Sequence, residues 1–163
     1  MLSDKMLKEL NNQIQEEMYS AYLYLSMAAW FESKNLKGFA KWMYVQFSEE
    51  QKHAKKFYGY IYDRQGSVKL QALQEPTSTW NSPLAAFEDA YKHEQHITGR
   101  INLLVDLAVQ EKDRATQVFL DWFVNEQVEE EASTSEVVEI LKMVGDKPQG
   151  LFMIDHQLGE RKD

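Results

Sequence analysis

A chain of 163 residues, 44% of them hydrophobic, can bury one sizeable core, and its length fits a single domain over residues 1–163. It has no cysteine, which excludes disulfides, thiolate nucleophiles, Cys-ligated zinc and iron–sulfur clusters. A net charge of −8 leaves no basic excess for a phosphate backbone, and no apolar run of about eighteen residues is present, so neither nucleic acid nor membrane is an expected partner. The opening MLSDKMLKEL lacks the basic start and apolar centre of a signal peptide, so a cytoplasmic protein is expected.

Between the stretches marked by proline and glycine the periodicity is helical, with no strand alternation. A first helix is predicted from Ser3 or Asp4, either of which can cap it, to about Ser33. SKNLKG makes a short turn, and a second helix runs from about Leu36 to Gln65, stopped by Gly66. GSVKLQALQEPTSTWN has no clear period. Asn81 or Ser82 then caps a third helix, with Pro83 in its first turn, reaching about Gln110. EKDR links tightly to a fourth helix that ends near Gly145, and DKP opens a short fifth, about Pro148 to Leu158.

Loop length sets the topology. The two short links make antiparallel pairs. A helix of ~28 residues is ~42 Å long, and an extended segment of about sixteen residues reaches ~50 Å. The long link can therefore return along the bundle and leave the second and third helices parallel. A four-helix bundle with one such crossover is the expected architecture.

Each long helix has an apolar seam at alternating spacings of three and four. The first seam reads Leu7, Leu10, Ile14, Glu17, Ala21, Tyr24, Ala28, Phe31. The second reads Phe39, Met43, Gln46, Glu50, His53, Phe57, Tyr60. The third reads Leu84, Phe87, Tyr91, Glu94, Thr98, Ile101, Val105, Ala108, and the fourth Leu120, Phe123, Gln127, Glu130, Thr134, Val137, Leu141, Val144. Every seam carries a glutamate near its middle, so Glu17, Glu50, Glu94 and Glu130 should converge, with His53 and Gln127 beside them.

Such a convergence is costly. A buried unpaired carboxylate costs several kcal/mol even after relaxation, and four would repel one another. Either some are protonated, with raised pKa values, or cations sit among them. Two divalent ions would balance four carboxylates. Hard oxygens with one imidazole suit iron(II), manganese(II) or zinc, not copper(I). Glu50 and His53, three apart on one face, can approach a metal together.

With these residues in view, the chain resembles the ferritins, specifically the haem-free bacterial type, over nearly its whole length. Glu17, EEQKH at Glu49 to His53, Glu94, and NEQVEEE from Asn125 to Glu131 carry the resemblance. It implies an all-α, ferritin-like four-helix bundle with one long crossover and a short fifth helix. It implies a homo-oligomeric cage of twenty-four subunits that oxidises iron(II) with dioxygen or peroxide and stores a ferric mineral. Glu17, Glu50 and His53 match the first iron site of a di-iron centre. Glu50 would bridge to a second iron completed by Glu94 with Gln127 or Glu130. Glu49, Glu126 and Glu129 resemble a third iron site, and Tyr24 matches a tyrosine kept beside the di-iron centre.

Departures narrow the comparison. The second Glu-x-x-His pair of the general di-iron bundle is replaced by Gln127-x-x-Glu130, which should hold the second iron more weakly. Haem-binding relatives place methionine where Gln51 stands, so no haem is expected. Animal ferritins line a three-fold channel with acids at positions that correspond here to Gln117 and Leu120, leaving the inward route of iron open. A di-iron redox enzyme of small oligomeric state, like rubrerythrin peroxidases, is the alternative reading, and a helical assembly with protonated core acids is a third.

Overall fold

The computed structural model describes residues 1–145 and 147–162, and among them the chain forms five α-helices and no strand. They are α1 (Asp4–Ser33), α2 (Lys37–Asp63), α3 (Pro83–Gln110), α4 (Arg114–Val144) and α5 (Pro148–Leu158). Asp146 and Asp163 lie outside the described residues.

Local chemistry starts three of the long helices. Ser3 accepts from the Met6 amide, Ser82 from the Ala85 amide ahead of Pro83, and Asp113 from the Thr116 amide. The fourth start is different: Leu36 has no side-chain cap. There the carboxylate of Asp155, from α5, accepts from the amides of Gly38 and Phe39 at 2.8 and 3.0 Å. This cap comes from over a hundred residues away, and it also docks α5. The approach is tight, because a Cβ at Gly38 would fall 1.6 Å from the Asp155 carbonyl oxygen.

The first three helices stop in one way. Asn35, Gln65 and Lys112 take left-handed backbone angles (φ 58°, 59° and 57°). The next amide folds back: Leu36 to the Phe31 carbonyl, Gly66 to Ile61 and Asp113 to Ala108. The stop of α2 therefore differs from the expectation built on Gly66. Gln65 supplies the left-handed turn, and α2 ends at Asp63. Gly66 lies in a crowded place, since a Cβ there would lie 2.8 Å from Leu7 Cδ1 and 2.9 Å from Ile61 Cγ2, and those side chains would have to shift.

The crossover lies along α1. Asn11 holds Ser67 and Lys69, Gln15 holds the Ala72 carbonyl, and Ser26 holds that of Thr77. Trp80 then packs edge-on to Trp30. Loop and helix numbers rise together, so the loop ascends with α1 and delivers α3 parallel to α2.

Two apolar clusters result. One, at the C-terminal end of α1, is built on Phe31, Phe39, Phe87 and Leu141 and extends to Ile154 and Leu158 of α5. The other, at the N-terminal end of α1, is built on Met6, Leu10, Phe57, Leu104, Leu120 and Phe123. The polar layer lies between them. In α3 the buried line is Phe87, Ala90, Glu94, Ile97, Ile101, Leu104 and Ala108, while Tyr91, Thr98 and Val105 of the expected seam are only half-buried.

Candidate metal centre

Each long helix contributes a carboxylate to one level of the bundle. Glu17, Glu50, Glu94 and Glu130 are at most 4% exposed, as are His53 and Gln127. Three groups have ligand atoms all within 4.8 Å of one another: Glu17, Glu50 and His53; Glu50, Glu94 and Glu130; and His53, Glu126 and Glu130. Glu50 belongs to both of the first two. The residues read from the four seams thus meet, and Glu50 is the one the two groups share.

Neighbouring donors orient the oxygens. Gln13 donates to Glu17 at 2.8 Å, and Gln46 donates to Glu50 at 3.2 Å and to Glu130 at 2.6 Å. His53 Nδ1 lies 3.2 Å from Glu50 Oε2 and 3.9 Å from Glu17 Oε2. The Tyr24 hydroxyl donates to Glu94, whose other oxygen accepts from Gln127 Nε2 at 3.2 Å. Gln127 therefore meets Glu94 through its amide nitrogen.

Burial dominates the electrostatics. It raises Glu17 and Glu50 well above the usual carboxylate range, with the charge of Glu50 adding to the shift at Glu17 and those of Glu94 and Glu130 at Glu50. Burial lifts Glu94 to about 7, against the pull of bonds from Tyr24 and Gln127. It lifts Glu130 to about 8, with the charge of Glu94 adding to the shift. The Tyr24 phenol is raised by burial and then by Glu94. Without cations this layer holds protons near neutrality. Glu17 Oε2 is buried with no hydrogen-bond partner among the described residues. An acceptor without a donor is what a cation would satisfy, so the donor set fits hard divalent ions.

No candidate group among the described residues contains all three glutamates expected to form a third site. Glu49 is held by Arg161 at 2.7 Å, Glu126 lies 3.4 Å from His53 Nε2, and Glu129 is exposed and joins none of the three groups. Glu126 instead aligns with His53 and Glu130. Glu126 and Glu130 lie one turn apart on α4, which lets them share that group with His53. Leu120 is fully buried in the core, so it does not line a channel from within this chain's surface. Gln51, on which the expectation of no haem rests, is exposed.

Gln46 does more than its seam position indicates, and Gln13 and Arg161, which lie off the seams, also hold the polar layer's neighbours. The glutamines had a legible signal, because each lies four residues before a seam glutamate, Gln13 before Glu17 and Gln46 before Glu50. Arg161 had none, since its place depends on how α5 docks. His93 and His96 stay outside the centre. His93 lies 2.7 Å from Ser20 Oγ and burial lowers it to about 4, while His96 pairs with Glu16.

Four long helices with one crossover, a short fifth helix and a buried carboxylate–histidine layer define the ferritin-like class. The chain belongs to the ferritin family: residues 7–144 match the family model described as Ferritin-like domain. It is 45% identical over 161 residues to a bacterial non-heme ferritin of Bacteroides fragilis, covering 99% of this chain and 100% of that one. A bacterial non-heme ferritin of Campylobacter jejuni is 41% identical over 158 residues, covering 97% and 95%. Among solved structures, an open-pore ferritin from the hyperthermophilic archaeon Archaeoglobus fulgidus superposes with a TM-score of 0.98 at 52% identity, covering 99% and 100%.

Proposed function

We propose that this chain, acting as one domain over residues 1–163, stores iron and is a ferroxidase. It would oxidise iron(II) inside the bundle and retain the ferric product in a cage of identical subunits, twenty-four by analogy with the family. The observation that carries this reading is the meeting of Glu17, Glu50, His53, Glu94 and Glu130 at one buried level, with Glu50 shared between two candidate groups. Iron(II) is the substrate. Glu17, Glu50 and His53 would hold one ion, and Glu50, Glu94 and Glu130 the other, with Gln127 bracing Glu94.

The chain's own groups account for the direction of the chemistry. Glu94 and Glu130 must lose protons to bind a cation, so uptake of iron(II) releases protons and strengthens as pH rises through about 7 to 8. Carboxylates stabilise iron(III) more than iron(II), because the added positive charge meets oxygens already fixed in a dry site. Two iron(II) ions supply two electrons to one dioxygen, which takes up two protons and leaves as hydrogen peroxide. Peroxide as oxidant takes the same two electrons and two protons and leaves as two waters. Tyr24, hydrogen-bonded to Glu94, would steady that carboxylate as its coordination changes. The third group, His53 with Glu126 and Glu130, would serve a departing ion on its way to the cavity.

Replacing Glu50 and His53 together by Ala should slow aerobic iron(II) oxidation at least about tenfold, because one double change removes ligands from both ions. Absorbance of the ferric product measures it. A wild-type rate in that variant overturns the site. Particle mass and iron content test storage: a large assembly that accumulates hundreds of irons supports it, whereas a small oligomer with a few tightly held irons supports a di-iron redox enzyme.

A further inference from the structure

We propose that Arg161 is a tethered cation that occupies Glu49 in the resting chain and must withdraw before a metal ion can use that carboxylate. The inference rests on the metal-centre reading above and concerns how its inner side is closed.

The C-terminal segment is guided to this place. α5 is pinned to the start of α2 by Asp155 on the Gly38 and Phe39 amides. Just after α5, Gly159 passes Gly38, where a Cβ on Gly159 would lie 3.3 Å from Gly38 Cα, and Lys41 donates to the Gly159 carbonyl at 2.9 Å. The chain therefore leaves α5 along the face of α2 that carries Trp42, Gln46 and Glu49, at steps of four and three.

Arg161 uses all three. Its guanidinium lies 4.2 Å from the centre of the Trp42 ring. Its Nη2 donates to Gln46 Oε1 at 2.9 Å and to Glu49 Oε2 at 2.7 Å. The bond to Gln46 has a second consequence. With its carbonyl engaged by Arg161, Gln46 turns its NH₂ toward Glu50 and Glu130. Arg161 is thus a positioning residue for both carboxylates through one amide, and at the same time the partner of the glutamate beside them.

A guanidinium keeps its charge at any physiological pH. While it holds Glu49, a dication there meets a fixed positive charge and a carboxylate already paired. A dication has twice the charge, so it can displace the arginine, but only against that pairing. The arrangement delays metal at Glu49 until the two inner groups are filled.

The test uses the whole assembled protein and redox-inert zinc(II), followed by calorimetry. Wild type should bind zinc in two tight steps per chain and a weak further one. Arg161→Gln should strengthen that further step at least tenfold, and Arg161→Lys should do so less. Adding Glu49→Gln to Arg161→Gln should remove the gain. An Arg161→Gln isotherm identical to wild type, or a gain that survives Glu49→Gln, overturns the proposal. Failure of the metal-centre reading looks different, because Glu50→Ala with His53→Ala would then leave the two tight steps in place. Melting curves of each variant separate these outcomes from loss of fold.

Discussion

The ends of the bundle and its middle solve opposite problems. At the end where α5 packs, Phe31, Phe39 and Phe87 lie with ring centroids 4.9 to 6.1 Å apart, and each is fully buried. Removing water from these rings is favourable in itself. In the middle, four carboxylates are buried as deeply, and they bring a desolvation cost and mutual repulsion. The contrast shows that the ends stabilise the fold, while the middle is held in place by them and does its work at their expense. The stretches differ by only a few turns of the same helices.

Truncation at an end should produce the largest loss. Phe39→Ala removes a ring that stacks on Phe31 and leaves a cavity in the aromatic cluster. A cost of about 3–5 kcal/mol is expected, read by denaturant unfolding of the metal-free protein. A loss under about 1 kcal/mol would mean that the ends do not support the middle as argued.

Acidity should separate the two regions next. Glu94 at about 7 and Glu130 at about 8 lie above the ordinary 4.5, so the native chain holds protons that the unfolded chain has released. Their contribution is full below about pH 4.5 and is lost as pH rises through about 7 and 8. Metal-free melting temperature should therefore fall across that window, and added zinc should reverse the fall. A metal-free melting temperature that rises from pH 6 to pH 9 would contradict this layer's electrostatics.

A smaller effect sharpens the same point. Glu130→Gln keeps an acceptor for Gln46 but removes the charge. At pH 9 the metal-free variant should melt roughly 2–4 °C above wild type, as expected for about 1 kcal/mol in a chain of this size. Below about pH 4.5, where Glu130 is protonated in both the folded and the unfolded chain, the two should coincide, and the gap should open as pH rises toward 8. The variant should also lose most of the stabilisation by zinc.

The smallest effect lies outside both regions, at the rim. Lys112 holds a left-handed angle of 57° without being glycine. Lys112→Gly should raise stability by about 0.5–1 kcal/mol by relieving that strain, partly offset by the greater freedom of the unfolded chain. Chemical denaturation measures it, and iron oxidation should not change.

The helices, their order and the residues of the polar layer are legible in the chain's own pattern. Each of these is a local pattern: Ser3, Ser82 and Asp113 cap their own helices, and seams at steps of three and four put Glu17, Glu50, Glu94 and Glu130 on faces that had to be buried. A bundle aligns the middles of helices of similar length, so depth along the chain became depth in the core. Other features depend on contacts between distant segments, which folding alone creates. The α2 start is capped by Asp155, Gly66 lies close against Leu7, and Glu49 accepts from Arg161. The periodicity of one helix cannot reveal a partner that arrives from a hundred residues away, because its position is fixed by packing and not by the helix that receives it.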